Sequence, residues 1–466
     1  MTNLQFLTTL AAAADGKLNK RVALILYNDS LRVEAVGVHT GDGGYQTAIV
    51  NAVQNLNKNL DSFYVVATYQ PTPMCEGMCK GRVLSGMTFV TGGRIGTPTD
   101  NPAIASSTLR IGKADNSPLE TAPALSGAVA WFDGLDTRNL TEVAGNAVAS
   151  LRRVLRDGTA VYSSRYMPDN IRDLYTLTPT VPPVILQQDE EEQIYMRLAY
   201  ALVGQSWTEL TAWTPGTNKD QEMGGTNIGA VTVYQGKIIA WGLNSLAQNK
   251  TYHAETVMLG AYLAKNNVSA MPSGVHIYTT LQPCRMCAGF IVRVCPNARV
   301  YYGLRDQQLS TILTAGATNG CKEVAVTTKF KSINEQQGRL NSLGGTQTPQ
   351  FLAQKSESNT FVQYGQAILN RRTDVIKQID ALEKELAKLG AAPTGPPKPV
   401  NWAKAADPTT PEAKRKALTA SIAGLDKTLK ALEQCIGLLK IVGEQGLTTT
   451  YGWSVLEALF PQLKAS

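Results

Sequence analysis

Two stretches, "YHAE" at residues 252–255 and "TTLQPCRMCAG" at residues 279–289, decide the reading of this chain. His253, Cys284 and Cys287 are residue types that zinc prefers, and a catalytic zinc site takes three protein ligands with a fourth position open. Cys284 and Cys287 stand one helical turn apart, so both thiolates can face one ion. They open a helix just after Pro283, where the helix dipole and free N–H groups favour thiolate over thiol. His253 begins a second helix, from which Glu255 can approach the same ion at another angle without ligating it. Zinc in such a set lowers the pKa of bound water from about 15.7 to about 7. Glu255 is then the candidate to take the water proton and pass it on. A lone C-x-x-C is often a structural zinc site or a redox pair. Here a His-x-Glu precedes it by 31 residues, counted from His253 to Cys284, and no fourth protein ligand is evident.

Around these stretches, residues 228–306 alternate strand and helix patterns. "IGAVTVYQGKIIAWGLN" predicts two strands about a turn at Gln235 and Gly236. "TYHAETVMLGAYLAKNN" predicts a helix with Val257, Leu259 and Leu263 in the core, and "GVHIYTT" a strand. "CRMCAGFIVRV" predicts a short helix stopped at Cys295 and Pro296, and "ARVYYGLRD" a further strand. This alternation predicts an α/β sandwich around a mixed sheet. The acid-started helix in "DEEEQIYMRLAYALVGQSW" is suited to cover one face.

The H-x-E…P-C-x-x-C pattern resembles the zinc nucleobase deaminases of the cytidine deaminase superfamily. "TTLQPCRMCAGFIV…ARVYYGLRD" is most similar to the tRNA adenosine and guanine deaminase branch. The resemblance covers about a third of the chain and implies a three-layer α/β/α fold with a zinc cofactor. It implies His253, Cys284 and Cys287 as metal ligands and Glu255 as the catalytic acid–base. It also implies that Asn244 contacts the sugar or base, that Ala254 offers backbone groups to the base, and that Thr279 to Pro283 form part of the pocket wall. From the residues alone Asn244 reads as a turn residue. The continuation after "RD" suggests a last strand parallel to its neighbour. The chain departs from compact members by an insertion at roughly residues 206–226 and by its C-terminal helices.

Residues 22–97 repeat the element order. "VALILYNDSLRVEAVGVHT" predicts two strands about a turn at Asn28 and Asp29, "YQTAIVNAVQNLNKN" a helix, and "SFYVVATYQ" a strand. "MCKGRVLSG" and "MTFVTGGRIGT" follow in the places of "MCAGFIVRV" and "ARVYYGLRD". The pattern predicts an internal duplication. Laying "YQTA" on "YHAE" sets Gln46 against His253 and Ala48 against Glu255, and it pairs Cys75 and Cys79 with Cys284 and Cys287. The first copy would then be a non-catalytic deaminase-like domain. His39, His276, Cys295, Cys321 and Cys435 read as packing or surface residues.

The expected organisation is an inactive deaminase-like domain at 1–180, a catalytic zinc domain at 181–355, and a C-terminal helical hairpin region at 356–466. In the last, Leu418, Ile422, Leu425, Leu429, Leu432, Ile436 and Leu439 form a heptad seam. That hairpin fits packing on the catalytic domain or homo-oligomer formation with another subunit. The chain has 466 residues, 43% hydrophobic and 17% charged, a globular composition of more than one domain. Its seven cysteines are too few for a secreted disulfide scaffold. Neither a basic signal-peptide start nor a membrane-length apolar run is present, so the expected location is cytoplasmic, with no membrane partner. Net charge is +7, and residues 371–440 hold 13 basic against 8 acidic residues. That excess fits a solvated helical face or a surface for nucleic acid.

The expected activity is hydrolytic deamination of cytosine to uracil or adenine to hypoxanthine, within single-stranded or structured DNA or RNA. The alternatives are a deaminase of free nucleotides or bases, and a non-catalytic zinc-containing nucleic-acid-binding scaffold.

Overall fold

The structure is a computed structural model that describes residues 3–27, 32–40, 46–56, 63–69, 71–72, 74–75, 79, 84–91, 103–106, 128–135, 142–157, 169–206, 228–245, 251–304, 321–326, 355–390 and 410–447. The expected turn at Asn28 and Asp29 and the insertion beyond Ser206 lie outside the described residues.

The first half runs α1 (Asn3–Leu18), β1 (Val22–Tyr27), β2 (Val33–Val38), α2 (Ala48–Gln54), β3 (Phe63–Ala67), β4 (Leu84–Thr91), β5 (Ala103–Ser106), α3 (Ala128–Asp133), α4 (Glu142–Asp157) and α5 (Asp169–Leu174). The second half runs α6 (Gln188–Gln205), β6 (Gly229–Tyr234), β7 (Lys237–Leu243), α7 (Ala254–Asn266), β8 (His276–Leu281), α8 (Arg285–Val294), β9 (Arg299–Leu304) and β10 (Cys321–Glu323). Two long helices follow, α9 (Lys355–Lys388) and α10 (Pro411–Glu444).

Among the described residues the strands form two five-stranded sheets, ordered β2-β1-β3-β4-β5 and β10-β9-β8-β6-β7. In each, the first two strands are antiparallel, the third pairs antiparallel with the first, and the fourth is parallel to the third. Even the irregularity repeats. The register of β1 against β2 slips between Ile25 and Leu26, and that of β6 against β7 slips between Thr232 and Val233. The fifth strands differ. β10 runs parallel to β9, as the sequence suggests, whereas β5 runs antiparallel to β4.

Each sheet has helices on both faces because its strands alternate two sets of apolar side chains. In β1, Val22, Leu24 and Leu26 join the cluster of α1 and α4, while Ala23 and Ile25 join the cluster that includes α2. In the second half α6 packs on one face of β6, β8 and β9, and α7 packs on the other face of β6 and β7. Val257, Leu259 and Leu263 of α7 are buried, as their helical spacing predicts. Gln235 and Gly236 both have positive φ, 48° and 73°, as a tight two-residue hairpin turn requires.

The C-terminal helices pack on this second half through α6 and on each other, so the apolar seam of α10 is shared between α9 and α6. Tyr364 of α9 stacks on Tyr200 of α6 with centroids 4.8 Å apart. Arg372 meets Glu433, and Arg415 donates to the carbonyls of Leu389 and Gly390, so α9 and α10 lie alongside each other in opposite directions. Gln434 of α10 is fully buried and ties three segments together. Its Oε1 accepts from the Ile238 N–H at 3.2 Å, and its Nε2 donates to Pro182 O at 3.0 Å and Gly236 O at 2.9 Å. Among the described residues no helix is long and apolar enough to cross a membrane.

Gln434→Leu keeps the volume but leaves the Ile238 N–H buried without its acceptor. The variant is expected to lose roughly 2 kcal/mol of unfolding free energy in urea titrations. A loss within a few tenths of a kcal/mol would show that the bond contributes nothing.

Candidate active site

The site is built where two helices begin. His253 is the N-cap of α7 and Cys284 the N-cap of α8, so both helix N-termini, with their partial positive charge, point to one place. The loop that delivers His253 is heavily bonded. Thr256 Oγ1 donates to Thr251 O at 2.6 Å, the Ser245 N–H donates to Tyr252 O at 2.8 Å, and the Ala254 N–H donates to Asn244 Oδ1 at 2.7 Å. Tyr175, buried beneath, reaches Ser245 Oγ at 3.1 Å.

These contacts bring the predicted ligands together. Cys284 Sγ lies 3.6 Å from His253 Nδ1 and 3.6 Å from Cys287 Sγ. One ligand atom from each of the three residues falls within 4.8 Å of the others. Two sulfurs and one imidazole nitrogen at that spacing fit a tetrahedral zinc with one position left for a non-protein ligand. The hydrogen bond with Cys287 holds the Cys284 thiol well below its ordinary range, helped by His253, while burial pushes Cys287 up.

Glu255 is 3% exposed, and Thr279 Oγ1 lies 3.2 Å from its Oε1. Burial raises the Glu255 carboxyl above its usual range, with the neighbouring Cys284 adding to the effect and His253 opposing it. A buried carboxyl of this kind is suited to give and take a proton near neutral pH. Asn244, Ala254, Thr279 and Pro283 are all buried. The Ala254 N–H that the resemblance offers to a base is engaged by Asn244. His276 stands away from this set, with Nδ1 2.6 Å from Glu191.

The register of the sheets corrects the expected correspondence between the halves. Ala23 pairs with Gly37 and Ala67, while Ala230 pairs with Gly242 and Thr279. A Cβ on Gly37 would meet Ala48 O at 2.0 Å, and one on Gly242 would meet Ala254 O at 2.3 Å. Ala48 therefore stands at the position of Ala254, not of Glu255. Thr47, the N-cap of α2, stands at that of His253 in place of Gln46, and Ile49 at that of Glu255.

From Ala67 and Thr279 onward the two stretches run without a gap, "ATYQPTPMC" against "TTLQPCRMC", setting Thr72 at Cys284 and Cys75 at Cys287. The contacts agree. Cys75 Sγ lies 3.1 Å from Thr47 Oγ1 and 3.2 Å from Thr72 Oγ1. Tyr69, at the position of Leu281, puts its hydroxyl 3.6 Å from Cys75 Sγ, where it also accepts from the Ile49 N–H at 3.0 Å. This set offers one thiol, two aliphatic hydroxyls and a phenol, which do not fit a zinc site. The shared Gln-Pro dipeptide was the sequence signal for this register, and matching cysteine to cysteine hid it.

Comparison with known proteins agrees with this geometry. Residues 225–320 match the Bd3614-like deaminase family. Over 82 residues the chain is 42% identical to a tRNA-specific adenosine deaminase of Buchnera aphidicola subsp. Schizaphis graminum, covering 17% of this chain and 51% of that protein. Over 117 residues it is 28% identical to tRNA-specific adenosine deaminase 2 of Xenopus laevis, covering 24% of this chain and 66% of that one. A solved structure from studies of A-to-I editing by tRNA:A34 deaminases shares 28% identity over 21% of this chain and 82% of its own, with a TM-score of 0.19. The chain thus spans about half the length of the Buchnera relative, 51%. Residues 225–320 are thus similar to deaminases of the cytidine deaminase superfamily, and among these to tRNA-specific adenosine deaminases.

Dialysed protein is expected to hold about one zinc per chain by elemental analysis. Cys287→Ser and His253→Ala are expected to release it, and Cys75→Ser to leave it in place. Two zincs in the wild-type chain, or loss of zinc with Cys75→Ser, would contradict the reading of the two sites.

Proposed function

We propose that this chain is a zinc-dependent hydrolytic deaminase of a nucleobase within single-stranded or structured nucleic acid. Adenine in a tRNA is the first substrate to test, because the relatives are named tRNA-specific adenosine deaminases. The observation that carries the reading is the buried Glu255 carboxyl beside three mutually close ligand atoms.

His253, Cys284 and Cys287 hold the ion in this reading. Zinc bound there supplies Lewis acidity that lowers the pKa of water to about 7. Glu255 takes a proton from the attacking water and delivers it to the ring nitrogen beside the carbon bearing the amine. It then carries a proton to the departing amine, which leaves as ammonia. Water supplies the oxygen that becomes the carbonyl, so the exchange of amine for oxygen balances. Asn244, Ala254, Thr279 and Pro283 form the buried wall next to Glu255.

Residues 1–180 are a non-catalytic copy of the same fold, residues 181–355 the catalytic domain, and residues 356–466 a helical hairpin region that braces it. The shared strand order and the shared register slip support the duplication. With Thr47 and Ile49 in the places of His253 and Glu255, and Tyr69 beside them, the first copy is suited to hold a polynucleotide while the active pocket receives one unstacked base.

The test is incubation of purified chain with tRNA, single-stranded DNA and free nucleotides, followed by sequencing or chromatography. Conversion is expected on nucleic acid, and Glu255→Ala is expected to lower it by at least about 10²-fold with zinc retained. Conversion confined to free nucleotides would reject the nucleic-acid reading. No conversion of any substrate by zinc-loaded protein would leave the scaffold alternative.

A further inference from the structure

Adjacent threonines on β8 face opposite sides of the sheet and do different work. Thr280 Oγ1 accepts from the Gly229 N–H at 3.2 Å, on the α6 side. Thr68, its counterpart in the first sheet, accepts from the Val22 N–H at 2.9 Å, so this hydroxyl serves the fold in both halves. Thr279 is different. It faces the site, is fully buried, and lies 3.2 Å from Glu255 Oε1 and 3.1 Å from Leu281 O. At the same register position the first sheet has Ala67, and opposite it Ile49 replaces the glutamate. The first sheet thus forms with alanine at this position, so the strand itself does not need the hydroxyl. Where the carboxylate is absent the hydroxyl is absent too.

We infer that Thr279 is a positioning residue for Glu255, and that its hydroxyl fixes the orientation of the carboxyl group that handles protons in the deaminase reaction. This role rests on the deaminase reading above. A wall residue acts by touching substrate, whereas this role has Thr279 act from the wall through Glu255. A buried carboxylate with a flexible three-bond side chain needs a donor to hold one rotamer, and a hydroxyl on a rigid strand supplies it. Leu281 O gives the same hydroxyl a second acceptor. Thr279 therefore stays hydrogen-bonded when Glu255 turns toward substrate, and the movement leaves no buried donor unpaired.

The experiment compares Thr279→Val, which is isosteric, Thr279→Ala, which copies the first sheet, and Thr279→Ser, which restores the hydroxyl. Steady-state rates are measured on tRNA, single-stranded DNA and free nucleotides, alongside zinc content and thermal midpoint. The valine and alanine variants are expected to keep wild-type zinc content and to lose about tenfold in kcat with KM within about twofold. Serine is expected to recover most of that loss. Unchanged kcat in folded, zinc-loaded Thr279→Val would overturn the positioning role while leaving the deaminase reading intact. A change confined to KM would also overturn it, since that is the mark of substrate contact. So would a serine variant as slow as the valine one, or zinc loss accounting for the slower rate. A wild-type chain that converts none of the substrates would overturn the deaminase reading and this role together.

Discussion

The close approach of α7 to β7 is the constraint on which the site depends. A Cβ at Gly242 would come within 2.3 Å of Ala254 O, so only glycine lets the first turn of α7 lie directly on the strand. That contact sets where α7 begins, and therefore where His253 and Glu255 point. The opposing helix α8 begins at Cys284, immediately after the turn that leaves β8. Two helix N-termini meet at the His253, Cys284 and Cys287 cluster, and their dipoles favour negative charge there. Gly37 repeats the same contact on Ala48, so the geometry belongs to the scaffold and the chemistry to the residues placed on it.

The two sheets share a strand order but carry different buried groups at corresponding positions, and neither set leaves a buried polar group without a partner there. A lone carboxylate at the position of Ile49 would need a donor, and a lone hydroxyl at the position of Ala67 would need an acceptor. Both are apolar in the first sheet. At the positions that match the candidate ligands stand Thr47 and Thr72, whose hydroxyls bond Cys75, and the Tyr69 hydroxyl accepts from the Ile49 N–H beside them. The first site is a satisfied hydrogen-bonded cluster. The second is a cluster of ligand atoms facing one point.

The helix α6 joins the second sheet to the C-terminal helices. Three consecutive acids at its start reach three different elements because successive helical residues turn by about 100°. Glu190 accepts from Thr428 of α10, Glu191 meets His276 and Tyr278 of β8, and Glu192 pairs with Lys322 of β10. In the sequence these acids read only as a favourable helix start. In the structure they fasten the covering helix to an edge strand, a central strand and the C-terminal pair, and they do so on the face opposite Glu255. Rigidity on that face helps hold the strands that carry the candidate site.

The sequence alone determined the second sheet, its covering helices and the candidate set of His253, Glu255, Cys284 and Cys287, because ligand chemistry and helical spacing are local properties. It also determined the repeated order of elements, since hydrophobic periodicity survives when individual residues do not. Only the tertiary structure decided the register between the halves, because strand pairing and a glycine contact compare positions that are far apart in the chain. That register moved the histidine position from Gln46 to Thr47 and the glutamate position from Ala48 to Ile49. Tertiary packing also decided that the apolar seam of α10 is shared between α9 and α6, which heptad spacing permits but does not specify. The job of Thr279 depended on it too, because a hydroxyl in a strand acquires a partner only when another element is laid against it.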